Sequence, residues 1–243
     1  MQRHELSDRE WSHIEPLLPP EKVRPGRPAI LLSRVFMNGV FCIAKTGVPW
    51  RDLPSRSGPW KTVHTRLTPW IQSGVFERVL KAFSRDADHE STMVDGSSTN
   101  AHQDTSGGIG GPVVRTLAEV AEVSRPKFHA LVDGLGHALH VHLAAGNVND
   151  VSQAQQLIAL AEGRNFIEDI GCDANHVPDA VARKGMTAVL PSLSLRKTKR
   201  VIDGHAYQER HLVENFLCKF KRSRRVVTRH EKTALKYLGF VLF

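Results

Sequence analysis

At 243 residues the chain is long enough for one large domain or two modest ones, and 33 basic against 25 acidic side chains leave a formal net charge of +8. Hydrophobic residues at 41 %, with 18 Gly and 13 Pro, fit a globular chain and exclude a disordered or collagen-like one. No apolar run approaches the roughly 18 residues of a membrane span, Met1–Leu6 lacks an apolar signal core, and Cys42, Cys172 and Cys218 are too widely spaced for a disulfide framework or zinc ribbon. The expectation is a cytoplasmic protein that faces nucleic acid.

Ser7-Asp8-Arg9-Glu10 has the spacing of a capping box, with Ser7 as N-cap and Glu10 at the third helical position. The helix it opens carries Trp11, Ile14, Leu17 and Leu18 on one face and ends at Pro19-Pro20. Arg24-Pro25-Gly26-Arg27-Pro28 reads as a turn, or as an extended basic segment able to enter a minor groove. A second helix is predicted over about 34–45, with Phe36, Val40 and Ile43 inward and Gly47 as its C-cap. Gly58-Pro59-Trp60 opens a third, carrying Val63, Leu67 and Trp70 and closed by Gly74. Val75, Phe76, Val79, Leu80 and Phe83 make a fourth. Such a cluster suits a helix-turn-helix-like DNA-binding module, or a small bundle that merely packs on its neighbour.

Ser91 to Asp95 reads as a strand ending in a carboxylate, followed by a polar turn at Gly96-Ser97-Ser98. Gly107 to Gly111 is a glycine-rich loop without the arrangement of a phosphate-binding loop. Phe128–Val132 and Ala138–Leu143 are strand-like and joined by the hairpin signal Asp133-Gly134-Leu135-Gly136. A helix over 153–161, a short strand over 165–169 ending in an acid, a helix over 178–183 and a strand over 186–190 follow. Three strands and then a strand–helix alternation imply a mixed sheet flanked by helices. His129, His137, His140 and His142 fall in this region. His140 and His142 share a strand face as metal ligands could, but without a second ligand pair they read as exposed strand histidines.

Charge is unevenly spread: residues 1–90 carry +4, residues 91–182 carry −7 and residues 183–243 carry +11. A basic third beside an acidic third fits an enzyme that holds phosphates with cations and a divalent metal with carboxylates, or a solvated basic tail. At about 100° per residue, a helix over 207–221 places Tyr207, Arg210, Glu214 and Lys221 in one stripe about 60° wide, with Leu212, Val213, Phe216, Leu217 and Phe220 opposite. An Arg one turn before a Glu and a Lys two turns after it would keep that carboxylate charged beside phosphates. A surface helix with incidental ion pairs fits the same spacing. Arg222, Arg224, Arg225 and Arg229 extend the positive charge beyond it.

That helix resembles the Tyr-x2-Arg-x3-Glu-x6-Lys signature of bacterial insertion-sequence DDE transposases at all four positions. The likeness extends over most of the chain: Leu6–Leu18, Thr46–Pro54 and Gly58–Val63 look like the family's N-terminal helical region, and Asp95 with Ala101-His102-Gln103 like its first catalytic block. Phe128–Gly136 is similar to its hairpin, and Gly146–Asp150 to the turn before its helix. The resemblance implies a ribonuclease-H-like α/β catalytic domain over 89–243, preceded by a small all-helical, helix-turn-helix-like DNA-binding region over 1–88. It implies Asp95, Asp169 and Glu214 as catalytic and metal-binding triad, holding two Mg²⁺ ions roughly 4 Å apart, with Mn²⁺ able to substitute. Tyr207, Arg210 and Lys221 would then position DNA or the catalytic Glu, and Arg222, Arg224 and Arg225 would join them in binding DNA.

Two features depart from the family. Cys172 stands where an aromatic usually follows Asp-x-Gly, and from about Pro112 to Pro126 the family pattern disappears. Shifted reading of codons for Ala118–Pro126 permits Arg-Ser-Arg-Gly-Gly-Leu-Thr-Thr-Lys, the peptide the family tends to have there, which points to two compensating frameshifts. The replacement introduces Glu119 and Glu122 and is expected to weaken DNA binding. The end at Leu242-Phe243 falls slightly short of the family's usual end. The leading expectation is a transposase that cuts and joins double-stranded DNA at terminal inverted repeats, working as a homo-oligomer on element ends and target near the nucleoid. A related nuclease without strand transfer and a defective or co-opted DNA-binding protein are the alternatives.

Overall fold

Ser7 Oγ accepts the Glu10 N–H at 3.2 Å while Glu10 Oε2 accepts the Ser7 N–H at 2.7 Å, so the expected capping box starts α1 (Asp8–Ile14). The computed structural model describes residues 4–21, 31–102, 105, 126–145, 150–169 and 175–243. The Arg24–Pro28 segment, the glycine run 107–111, the altered stretch up to 125, the turn 146–149 and Cys172 lie outside the described residues.

Three more helices complete the N-terminal region: α2 (Ser33–Thr46), α3 (Trp60–Gln72) and α4 (Val75–Phe83). Gly47 caps α2 in the left-handed conformation at φ 69°, where a side chain would be strained. Phe36, Val40, Ile43, Val63 and Leu67 are fully buried in one cluster, as their helical spacing predicted. The cluster is completed from far away in sequence by α10 (Ala234–Leu242), which contributes Phe240. The approach of α10 is close: a Cβ on Gly239 would lie 2.3 Å from Ile71 Cδ1 and 2.6 Å from its Cγ1. Ile71 is itself buried and cannot swing aside. Gly239→Ala is therefore expected to cost about 1–3 kcal/mol of stability by overpacking, read as a lowered urea midpoint with an unchanged slope.

The centre is a five-stranded mixed sheet in the order β4-β3-β1-β5-β6, built from β1 (Ser91–Ser98), β3 (Lys127–Val132), β4 (Ala138–Ala144), β5 (Asn165–Ile167) and β6 (Thr187–Val189). β3 and β4 run antiparallel to their neighbours, whereas β5 and β6 are parallel to β1. The mixed sheet with flanking helices agrees with the sequence pattern. Gly96-Ser97-Ser98, expected as a turn, instead continues β1. Asp95 to Ser98 register with Ala130 to Lys127, so the ladder with β3 takes up the backbone groups that a turn would have left to water. A small second sheet pairs β2 (Asn100–Ala101) with β7 (Thr228–Arg229).

Side chains alternate across β1 and so divide the core. Val94 faces α5 (Asp150–Leu160) and α6 (His176–Arg183), with Leu157, Val177 and Val181 in its cluster. Met93 faces the other way, with Ile167, Val189, Ala206 and Val213. The last two come from α7 (Gly204–Gln208) and α8 (His211–Phe220). The predicted continuous helix over 207–221 is thus two helices. Around Glu209 and Arg210 the bonds close over three residues (Arg210 N–H to Tyr207 O, 3.2 Å; Leu212 N–H to Glu209 O, 2.8 Å), a tightened turn that breaks the α-helical ladder. A short α9 (Arg224–Val227) then leads into β7.

Among the described residues no helix is long and apolar enough to cross a membrane. His140 and His142, expected as exposed strand histidines, are half-buried on β4, where His142 Nε2 meets Gln153 Oε1 at 3.0 Å, and His129, the register partner of His142 on β3, is buried.

Candidate active site

Met93 and Ile167 are register partners on the parallel strands β1 and β5. Asp95 and Asp169 each stand two residues further on, so strand alternation brings both carboxyls to the end of the sheet covered by α7 and α8. Glu214 follows the buried Val213 on α8, which anchors that helix over the same face. The three carboxylates predicted from the sequence therefore meet, and they meet around Arg210. Its Nη2 lies 3.7 Å from Asp95 Oδ2 and 3.5 Å from Asp169 Oδ2, while Nη1 donates to Glu214 Oε1 at 2.5 Å.

The break between α7 and α8 falls at this arginine. Asp95 and Arg210 are about four-fifths buried, whereas the side chains of Asp169 and Glu214 are half open to solvent. Burial pushes the Asp95 carboxyl above the ordinary range; the Gly96 N–H, which it accepts at 2.7 Å, and Arg210 pull it back, while Asp169 and Glu214 push it further up. Burial alone would lower the Arg210 guanidinium, but Asp169, Asp95 and Glu214 outweigh it and raise its pKa. Tyr207 is raised by burial, with Arg210 opposing and the same three carboxylates adding to the rise. Tyr207 thus shares the electrostatic field of the carboxylates and belongs to the site.

The donor chemistry suits a hard divalent cation, since three carboxylates converge on one positive charge. In this arrangement the guanidinium is the charge that neutralises them. Among the described residues no three His, Cys, Asp or Glu side chains stand close enough to hold an ion as they are placed.

The remaining basic residues separate into two groups. Lys221, Arg222 and Arg224 are exposed just beyond α8 and form positive surface. Arg225, grouped with them from the sequence, is buried and is no part of that surface. Its Nη2 and Nε lie 2.9 and 3.1 Å from Glu231 Oε1, its Nη1 donates to Gly47 O at 3.3 Å, and its guanidinium sits over the rings of Trp50 and Phe240. A glutamate six residues downstream carried no spacing signal of its own. The connection 190–203 between β6 and α7 also went unremarked in the sequence, although Arg196, Lys197, Lys199 and Arg200 occur there with no acid before Asp203.

Comparison with a family profile covers the N-terminal helical region and not this site. Residues 6–80, which hold α1 to α3 and the first part of α4, match the profile of a family described as "Putative transposase of IS4/5 family". The chain is 36 % identical over 117 residues to a protein of Brucella ovis named "Putative transposase for insertion sequence element IS6501", an alignment that takes in 47 % of this chain and 90 % of that one. It is 39 % identical over 108 residues to "Insertion element IS402 uncharacterized 16.2 kDa protein" of Burkholderia cepacia, covering 40 % of this chain and 73 % of the relative. An uncharacterized protein, y4sN, of Sinorhizobium fredii is 33 % identical over 102 residues, covering 42 % and 81 %. Among solved structures, the Mos1 transposase paired-end complex with left transposon end aligns over 90 % of this chain and 77 % of that one at 12 % identity, with a TM-score of only 0.28. The level of identity, sustained over most of the length of the insertion-element relatives, places the chain in the IS4/5 family of insertion-sequence transposases.

Proposed function

We propose that the chain is a DNA transposase that cuts and joins DNA at the terminal inverted repeats of its own insertion element. On this reading the domain over 89–243 is ribonuclease-H-like and catalytic, and the helical region over 1–88 binds DNA. The observation that carries the chemistry is the convergence of Asp95, Asp169 and Glu214 on one guanidinium at the end of a mixed sheet. Asp95, Asp169 and Glu214 would hold Mg²⁺, or Mn²⁺ in its place. The metal would supply Lewis-acid polarisation of the scissile phosphate and a nucleophilic oxygen at neutral pH.

The protein's own residues do the rest. Asp95 sits on the innermost strand and accepts the Gly96 N–H, so the site has one largely buried carboxylate and two half-exposed ones, Asp169 and Glu214. Arg210 keeps these charges from repelling one another before DNA arrives, and with Tyr207 it lies where it can contact the DNA backbone. Lys221, Arg222 and Arg224 offer a positive surface beside α8 for phosphates, on a homo-oligomer assembled over element ends and target.

Incubation of the full chain with Mg²⁺ and a supercoiled plasmid carrying the sequences that flank its own coding region tests the reading. Nicked, linear and joined products are expected from wild type, and none from Asp169→Ala. Cleavage without joined products would make the protein a nuclease. Specific binding of the ends without cleavage would leave it a DNA-binding relative of transposases.

A further inference from the structure

The connection 190–203 leads from β6, the neighbour of the strand that delivers Asp169, directly into α7 and Tyr207. It contains no helix or strand, and connections longer than about 12 residues without structure of their own are commonly functional. This one is held at its base. Arg200 N–H donates to Ser192 Oγ at 2.9 Å, Arg196 N–H donates to Leu193 O at 3.1 Å, and the Arg196 guanidinium bonds to Asn175 Oδ1.

The tip has an unusual surface. Leu195 and Val201 are completely exposed, at 96 % and 102 %, and Leu193 is half exposed. Between them Lys197 and Lys199 are exposed. Three outward apolar side chains interleaved with cations, in a loop that leads into the helix of Tyr207, are not accounted for by packing. Single exposed leucines need no explanation, but a group of them with matching charge marks a contact surface.

We propose that residues 191–203 form a DNA-docking loop of the site, in which Lys197 and Lys199 engage the phosphates of duplex DNA and Leu195 wedges against the bases. The inference rests on the transposase reading and adds a contact to it. Cations positioned on the phosphates neutralise charge without reading sequence. An apolar side chain carried between them can enter the groove and partly unstack a base step, which bends the duplex toward the site that cuts it. The surface is complementary to a polyanion with an apolar interior. It leads directly into α7, which carries Tyr207 and ends just before Arg210, and this favours DNA as the occupant.

Binding of the full chain to a fluorescein-labelled duplex of arbitrary sequence, followed by anisotropy from low to high salt without metal, tests the proposal. Lys197→Ala with Lys199→Ala should weaken binding roughly tenfold or more at moderate salt. It should also reduce the slope of log K against log salt by about 1.8, the value for two phosphate contacts. Leu195→Ser should weaken binding about three- to tenfold and leave the slope unchanged. All three side chains are exposed, so an unfolding midpoint equal to wild type's is the control for folding.

Variants that match wild type in affinity and slope overturn the loop assignment, and plasmid cleavage by the same variants would leave the transposase reading intact. Wild type that binds no duplex at any salt overturns both. Loss of binding to anionic phospholipid vesicles, or of self-association, with DNA affinity unchanged in the variants would assign the loop to a membrane or to a second copy and so overturn it as a DNA contact.

Discussion

Asp95→Asn is expected to abolish strand cleavage while leaving the protein folded and at least as stable. The amide keeps an oxygen to accept the Gly96 N–H, so β1 loses no hydrogen bond. It removes a negative charge from the most buried of the three positions, where Asp169 and Glu214 crowd it. A neutral side chain of the same shape is then no more costly to bury than the carboxylate it replaces. On the proposed reading its cost falls on the chemistry: losing an oxygen that would hold metal is worth about 4 kcal/mol of transition-state stabilisation, or roughly 10³-fold in rate. The paired measurement is the rate of plasmid nicking in Mg²⁺ and the unfolding midpoint without metal. A variant that loses cleavage only because it has unfolded would sink the assignment of Asp95 to the chemistry.

The second large effect lies away from the carboxylates, where the helical region meets the end of the chain. Glu231→Ala should cost about 3–5 kcal/mol, because it leaves the Arg225 guanidinium buried with the Gly47 carbonyl as its remaining polar contact in that pocket. Arginine cannot shed its charge to relieve this. Both side chains are about 95 % buried, so water cannot take the place of the carboxylate. Replacing the pair together, Arg225→Met with Glu231→Leu, should recover most of the loss, since an apolar pair of similar volume fits beside Trp50 and Phe240. Urea unfolding of the two variants decides the point. Equal stability of Glu231→Ala and wild type would mean that the pair does not join the two regions energetically.

The same junction predicts a limb of instability in mild acid. His64 lies edge-on to Trp50 at 5.0 Å, and its Nε2 accepts from Lys236 Nζ at 3.1 Å. Burial lowers its pKa from the ordinary 6.5, and the charges of Lys236 and Arg225 lower it further. A depressed histidine carries stability that is complete above the unfolded value and drains away as pH falls from about 6.5 through the folded value. His64→Gln should flatten the pH dependence of the unfolding midpoint below pH 6.5 and leave it nearly unchanged at pH 8.

How far the fold was legible depends on the range of the interactions that make each part. The capping box at Ser7, the Gly47 cap and the Asp133–Gly136 hairpin are local. Their residues determine their own backbone geometry, and they stand where the sequence put them. The inward faces of α2 and α3 were equally legible, because Phe36, Val40, Ile43, Val63 and Leu67 repeat with the helical period and that period is a property of the chain alone. The extension of β1 through Gly96 to Ser98 was not, since a polar Gly-Ser run becomes strand only when β3 arrives to pair with it. The break at Arg210 was hidden for a similar reason: the 207–221 pattern is amphipathic with or without it, and the tightened turn at Glu209 leaves the hydrophobic repeat intact.

Within the site, the sequence by itself singled out the residues that the fold brings together. Asp95 and Asp169 close strand-like runs, and Tyr207, Arg210 and Glu214 share one helical stripe. Only the tertiary structure decided that the three carboxyls face one arginine, because their meeting requires the parallel Met93–Ile167 register and the docking of α8 over the sheet. It also decided which cations are exposed. Charge in a sequence has no depth, so Arg225 could not be told from Arg222 and Arg224 until Glu231, Trp50 and Phe240 closed around it. The apolar side chains of the 190–203 loop could not be told from core until the fold left them outside. Burial is a property of the folded whole, set by partners distant in the chain, and it separates the residues that hold this protein together from those left at its surface.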